Sequence, residues 1–201
     1  MPYEAIVIGV SSGGLNAMRL LFSRLPPDFT TPLIIVQHVG TRSDTGWINF
    51  LNSKSHLHIK EADEKELIEK GKAYFAPPNY HLQIERDKTL SLSIHERVSF
   101  ARPSIDVLFE SAAEAYRDNL IGIVLTGSNN DGTSGIRYIQ KCGGLTIVQD
   151  PSTSESPFMP KSAIKAIRPD YVISLEELPE LICRLVKPVS LSEPTLSGEQ
   201  I

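Results

Sequence analysis

The sequence is poor in the features that mark secreted and membrane proteins. It has only two cysteines, Cys142 and Cys183, which are too few for a small secreted domain held together by disulfides. No apolar run approaches the ~20 residues that a membrane-spanning helix needs. The first residues also lack the basic and apolar segments of a signal peptide. We therefore expect a cytoplasmic protein that does not insert into a membrane.

Positive charge and metal-binding patterns are scarce as well. The formal net charge is -4 at pH 7, whereas a domain that binds nucleic acid usually has a basic face. The two cysteines and five histidines form no Cys-x-x-Cys pair or Cys/His cluster of the kind that holds zinc. The composition thus predicts neither a nucleic-acid partner nor a metal site.

What the chain does contain is a repeated alternation of short apolar runs and helical patterns. Residues 5–10 and 33–36 are rich in β-branched side chains, and residues 15–25 between them carry apolar side chains at helical spacing. These three segments predict a right-handed βαβ unit, and the alternation returns from 104 to 186. We predict an α/β fold with a doubly wound, mostly parallel sheet and helices on both faces, in three Rossmann-like layers.

The middle and the end of the chain depart from this alternation. Residues 74–76, 81–84 and 90–94 are short runs, and the last two alternate apolar and polar side chains. We expect them to form an antiparallel hairpin at one edge of the sheet. The last residues are rich in Ser, Pro and Glu and have no periodicity, so we predict one domain over 1–187 and a disordered tail or linker over 188–201.

The first strand leads into Gly9-Val10-Ser11-Ser12-Gly13-Gly14, a segment with three interpretations. A dinucleotide-binding loop would need glycine in place of Ser11 and an acidic residue where Gln37-His38 stands. A plain helix start, capped by Ser11 or Ser12, is a second interpretation. In the third, the G-x-S-x-G pattern forms a sharp turn that exposes Ser11 as a nucleophile at the carboxyl edge of the sheet. The backbone N–H groups of the next helix would then lie beside it and could stabilise an oxyanion.

A nucleophilic serine needs a base, and the base needs a group that orients it. His38 alone among the histidines directly follows an interior strand next to the first, so it reaches the same edge as Ser11. Asp131 lies in the loop after the strand at 121–125, which ends at that edge too. A structural histidine at a strand end and an Asp-Gly turn are the alternatives for these two residues. We predict a triad of Ser11, His38 and Asp131, in an order that differs from that of α/β-hydrolases.

Several motifs follow one another along the chain in a familiar order, at residues 8–14, 37–38, 73–78, 102–109, 125–132 and 158–164. Together they resemble the catalytic domain of the CheB family, the bacterial chemotaxis protein-glutamate methylesterases, over almost the whole predicted domain. The resemblance assigns the nucleophile to Ser11, the base to His38 and the acid to Asp131. It implies removal of methyl esters from glutamates on cytoplasmic helices of chemoreceptors with release of methanol, deamidation of certain receptor glutamines, and no cofactor.

The sequence departs from the family pattern near the site. Ser12 replaces the usual threonine but keeps a hydroxyl and a backbone N–H. In the family's Gly-Met-Gly-Asn-Asp-Gly loop, Ser128 and Asn129 stand at the methionine and the following glycine. The resemblance implies that the backbone N–H groups of Ser12 and Ser128 hold the oxyanion. We also expect Asn129 to alter the conformation of the loop, because glycine tolerates backbone angles that asparagine adopts less easily.

The resemblance leaves regulation and substrate open. Typical family members carry a phosphorylation-controlled receiver domain in front of the catalytic domain, and we expect none here because the first catalytic strand begins at residue 5. A hydrolase of the same fold that acts on another protein ester or amide is one alternative function. A non-catalytic module that kept the fold for docking is the other.

Overall fold

Strands and helices alternate through the described part of the chain. A computed structural model of the protein describes residues 3–38 and 46–187, and the tail predicted for 188–201 lies outside these ranges. The strands are β1 (Ala5–Val10), β2 (Leu33–Gln37), β3 (His58–Glu61), β4 (Lys72–Phe75), β5 (His81–Ile84), β6 (Leu90–Ser93), β7 (Leu120–Val124), β8 (Leu145–Gln149) and β9 (Tyr171–Ile173). The helices are α1 (Gly14–Arg24), α2 (Gly46–Asn52), α3 (Ile105–Tyr116), α4 (Thr133–Lys141), α5 (Phe158–Ala166) and α6 (Leu178–Val186).

Seven strands form one sheet in the order β3-β4-β2-β1-β7-β8-β9, and every pair of neighbours in it is parallel. Parallel neighbours need crossover connections, and helices supply most of them here. The central strand β1 pairs with β2 on one side and with β7 on the other. This arrangement confirms the predicted fold class.

Both faces of the sheet are covered, which explains why its strands are apolar without interruption. Alternate residues of β1 enter different cores: Ile6 and Ile8 pack with α1, α2 and α6, whereas Ala5 and Val7 pack with α3, α4 and α5. The longest of these helices, α3, has 12 residues. No helix within residues 3–38 and 46–187 is long and apolar enough to cross a membrane.

The middle of the chain differs in part from its prediction. The strands β5 and β6 do pair as an antiparallel hairpin, but they form a separate two-stranded sheet instead of an edge of the large one. The hairpin packs against α3 on one face of the molecule. Residues 74–76 do not belong to it, because β4 pairs in parallel with β2 and β3. The strand β3 and the helix α2 were not predicted, since their short mixed sequences carry little periodicity.

The strand order creates a crevice beside β1. After β1 the chain turns to α1 on one face of the sheet, and after β7 it turns to α4 on the other face. The two loops therefore diverge between neighbouring parallel strands, which is the topological switch point where open α/β sheets bind ligands. The carboxyl ends of β1, β2 and β7 lie side by side at this edge of the sheet.

The core against α3 depends strongly on Phe109, whose side chain is fully buried. We expect Phe109→Ala to lower the free energy of unfolding by about 3–5 kcal/mol, because it removes buried area and leaves a cavity. Urea unfolding followed by circular dichroism measures this. Phe100→Ala is the matched control, because Phe100 is 95% exposed and its loss should change the free energy by less than about 0.5 kcal/mol. Equal effects of the two substitutions would contradict this packing.

Candidate active site

The crevice brings together the three side chains that the sequence singles out. Ser11 directly follows β1, His38 directly follows β2, and Asp131 lies in the loop after β7. The His38 Nδ1 atom is 3.2 Å from Ser11 Oγ, and His38 Nε2 is 2.9 Å from Asp131 Oδ2. The three side chains thus form one continuous hydrogen-bonded chain from a nearly buried serine to a buried carboxylate.

Backbone and side-chain contacts hold Ser11 and His38 in register. The Ser11 N–H donates to the Thr126 carbonyl at 2.9 Å, and the His38 N–H donates to the Val10 carbonyl at 3.0 Å. These two bonds extend the pairing of β1 with both neighbours beyond the ends of the strands. The Gln37 side chain also connects the two segments, because its Nε2 donates hydrogen bonds to the carbonyl oxygens of both Ser11 and His38 at 3.0 Å.

Two glycines make the turn after Ser11 possible. Gly13 has a φ of 82°, a left-handed conformation that glycine adopts without strain. Gly14 opens α1 directly against Gln37, and a Cβ on it would lie 1.9 Å from Gln37 Oε1. The glycine pair therefore shapes the turn and leaves space for the side chain that joins Ser11 to His38.

The Asp131 carboxylate lies at the amino terminus of α3. Its Oδ1 accepts hydrogen bonds from Ser104 Oγ and from the backbone N–H groups of Asp106 and Gly132, at 2.9–3.0 Å. Its Oδ2 accepts from the Ile105 N–H at 2.7 Å as well as from His38. Burial by itself raises the pKa of Asp131, but the hydrogen bonds from His38 and from the helix outweigh it and hold this pKa below its usual value.

An ionised carboxylate fixes the protonation of the neutral imidazole. A carboxylate can only accept, so the hydrogen of neutral His38 sits on Nε2 and points at Asp131 Oδ2. The lone pair on Nδ1 then faces Ser11 Oγ. This is the orientation in which His38 can take the hydroxyl proton of Ser11.

The turn that follows Ser11 also contacts the loop after β7. The hydroxyls of Ser12 and Ser128 are 2.9 Å apart, so the turn after β1 touches the loop after β7. Thr126 ties the same two segments together, because its Oγ1 donates to the Ser12 carbonyl at 2.8 Å. Within the described part of the chain, the backbone N–H groups of Ser12 and Ser128 donate no hydrogen bond.

Sequence reasoning overlooked several residues of this site. Gln37 and Ser104 both contact the predicted triad. Their positions in the sequence, directly before His38 and directly before α3, are the features from which these contacts could have been predicted. His81 is buried beneath the site, where its Nδ1 accepts from the Ser104 N–H at 3.2 Å. Asn129 contacts His38, and its φ is not in the positive region where glycine is favoured, so its conformation is ordinary.

The other histidines and acidic residues that the structure describes form no metal site. His56 and His58 are exposed, as their polar surroundings suggest. Across residues 3–38 and 46–187, no group of three or more His, Cys, Asp or Glu side chains is arranged to hold a metal ion.

Comparison with known proteins identifies the family. The sequence model described as CheB methylesterase matches residues 6–182. The chain belongs to the CheB methylesterase family. A protein of Leptospira interrogans is 58% identical over 185 residues, which cover 92% of this chain and 96% of that protein.

Other CheB-family proteins resemble the chain at lower identity. One from Pyrococcus horikoshii, named protein-glutamate methylesterase/protein-glutamine glutaminase, is 34% identical over 91% of this chain, which spans 50% of that protein. The crystal structure of the Thermotoga maritima CheB methylesterase catalytic domain superposes with a TM-score of 0.87 at 32% identity. The matched region covers 92% of this chain and 100% of the Thermotoga maritima chain.

A second buried carboxyl lies next to the CheB-family site. Asp106 Oδ1 accepts the Gly135 N–H of α4 at 2.7 Å, and its backbone N–H binds Asp131. Burial raises the pKa of Asp106 to about 6, and the negative charge of Asp131 adds to this effect. The folded chain therefore binds more protons than the unfolded chain between the usual pKa of 3.8 and about 6. The contribution of Asp106 to the free energy of unfolding is therefore fully present below pH 3.8 and is lost as the pH rises through about 6.

We expect Asp106→Asn to be more stable than the wild type above pH 7, by about 1–3 kcal/mol, because asparagine cannot ionise and can still accept the Gly135 N–H. The difference should shrink toward pH 4. Urea unfolding at pH 4.5 and 7.5 measures it, with Asp118→Asn as a control at an exposed carboxyl. A wild type that is the more stable protein at pH 7.5 would contradict this role of Asp106.

Proposed function

We propose that the chain is a serine hydrolase that removes methyl esters from glutamate residues of chemoreceptors and releases methanol. The observation that carries this proposal is the hydrogen-bonded chain of Ser11, His38 and Asp131 at the switch point of a CheB-family sheet. The activities in the name of the Pyrococcus horikoshii relative support it. Deamidation of receptor glutamines is a second reaction that the same three groups can perform.

In the proposed mechanism, Ser11 Oγ attacks the ester carbonyl carbon while His38 Nδ1 takes the hydroxyl proton. Asp131 orients the imidazole through Nε2 and stabilises the imidazolium that forms. The bond from carbon to the methoxy oxygen then breaks as His38 passes its proton to that oxygen, and methanol leaves. Water attacks the acyl-enzyme by the same route, which restores Ser11 and releases glutamate.

We assign the oxyanion contacts to the backbone N–H groups of Ser12 and Ser128. Both are free of hydrogen bonds within the described residues, and the contact between their hydroxyls keeps the two segments beside Ser11. Donors that are held in place before the reaction stabilise the tetrahedral intermediate, and loss of one such donor typically costs ~10²–10³ in rate.

The surface beside the loop suits an acidic protein substrate. An open depression next to Ser128 and Asn129 is lined by the exposed basic side chains of Arg137 and Lys165. Phe158, which is 55% exposed, adds an apolar contact at the same place. We propose that a receptor helix carrying the methylated glutamate lies here, that the reaction takes place in the cytoplasm, and that residues 1–187 form the catalytic domain.

We expect Ser11→Ala to abolish methanol release from a methyl-esterified chemoreceptor fragment, because no hydroxyl remains to form the acyl-enzyme. Gas chromatography of the released methanol measures the reaction. Ser134→Ala, at an exposed serine of α4, is the matched control and should keep wild-type activity. If Ser11→Ala still releases methanol, the mechanism is wrong. If the wild type cleaves small esters but not the receptor, the substrate is another protein ester, and a wild type that cleaves neither supports a docking role.

We expect Asp131→Asn to lower kcat by a factor on the order of 10⁴, because an amide cannot both accept from α3 and hold His38 in the required tautomer. The same methanol assay measures the loss, and circular dichroism checks that the variant is folded. Asp118→Asn serves as the exposed control. An Asp131→Asn protein that is folded and retains most of its activity would remove Asp131 from the mechanism.

A further inference from the structure

The side-chain amide of Asn129 lies beside His38 Nδ1, the atom that takes the Ser11 proton in the proposed mechanism. Its Nδ2 atom is 3.3 Å from His38 Nδ1, the atom that also lies 3.2 Å from Ser11 Oγ. Its Oδ1 accepts the Asp131 N–H at 3.1 Å. Because the oxygen is already engaged there, the NH₂ end of the side chain must face His38.

The amide and the serine hydroxyl therefore share one acceptor. Neutral His38 has a single lone pair on Nδ1, since its hydrogen is on Nε2 and bonded to Asp131. Both Asn129 Nδ2 and Ser11 Oγ approach Nδ1 within hydrogen-bond distance, so both lie on the side to which that lone pair points. Once Nδ1 has taken the Ser11 proton, it can no longer accept from Asn129, and the amide N–H needs another acceptor.

The leaving group enters this same space. The imidazolium has to give its Nδ1 proton to the leaving atom of the tetrahedral intermediate, so that atom must lie within hydrogen-bond distance of Nδ1. Ser11 Oγ is bonded to the carbon of the intermediate, and the Asn129 amide lies within 3.3 Å of Nδ1. The leaving atom is thus close to a hydrogen-bond donor that has just lost its acceptor.

We propose that Asn129 is a specificity-determining residue that favours methyl esters over amides by donating a hydrogen bond to the leaving atom. The proposal rests on the methylesterase function and adds a preference between its two reactions. A methoxy oxygen has two lone pairs, so one takes the proton from His38 while the other accepts from Asn129. Methanol then leaves with both of its new contacts satisfied.

An amide substrate cannot use the same contact. The leaving nitrogen of its tetrahedral intermediate has one lone pair, and this pair must take the His38 proton before ammonia can leave. Its two hydrogens are donors, as is the Asn129 NH₂ group, so the two groups oppose each other. An unsatisfied donor facing another donor slows breakdown of the amide relative to the ester.

The test uses two peptides that differ only in one side chain, glutamate γ-methyl ester in one and glutamine in the other. For each protein, kcat/KM is measured from methanol release and from ammonia release, and the ratio of the two values is compared. We expect Asn129→Ala to lower this ester-to-amide ratio about 3- to 10-fold, the size of effect that loss of one hydrogen bond gives. Asn129→Asp, which keeps the oxygen but replaces the donor with an acceptor, should lower the ratio at least as much.

Asn130→Ala is the matched control, because Asn130 is the next residue of the same loop and is exposed. It should leave the ratio unchanged, and the ratio itself is insensitive to a partial loss of folded protein. An ester-to-amide ratio that is unchanged in both Asn129 variants would overturn the assignment. Ammonia release from the glutamine peptide that stays below detection in both Asn129 variants would overturn it as well. Methanol release from the wild type that does not depend on Ser11 would instead contradict the proposed function, so the two failures are distinct.

Discussion

The carboxylate of Asp131 is the centre on which the rest of the site depends. It is almost completely buried and accepts five hydrogen bonds, from Ser104 Oγ, three backbone N–H groups and His38. These bonds join the loop after β7 to the start of α3 and to the end of β2. A buried charge is tolerated only where such donors replace water, and the amino end of a helix dipole also favours a negative charge. The Asp131 carboxylate thus both fixes the start of α3 and orients the His38 imidazole.

Asp131 and its neighbour Asp106 are both buried, but their pKa values move in opposite directions. Asp131 keeps a lowered pKa because His38 and the start of α3 outweigh the effect of burial. At Asp106, which has few such donors, burial dominates and raises the pKa to about 6. Two buried carboxyls so close together do not both ionise easily, because like charges repel strongly where water is excluded. The two carboxyls therefore have different roles. Asp131 carries a charge beside His38, whereas Asp106 accepts the Gly135 N–H at the start of α4.

The pattern of strands and helices could be predicted wherever a segment was long and apolar. Strands such as β1 and β7 are buried on both faces, so each shows as an unbroken apolar run between helical segments. The prediction was wrong where residues 74–76 were assigned to the hairpin and where the hairpin was attached to the sheet edge. The sequence of a short strand such as β4 does not indicate which strands it pairs with, because pairing depends on contacts with distant segments of the chain.

The sequence by itself determined the fold class, and it placed Ser11, His38 and the loop that carries Asp131 at one edge of the sheet, because the carboxyl ends of parallel strands lie at the same edge. Tertiary structure alone decided which nitrogen of His38 faces Ser11 and how Asn129 reaches that nitrogen. It also decided that Ser104 and the start of α3 surround the acid. These contacts depend on distances of a few ångströms between segments far apart in the chain, and local periodicity holds no information about them.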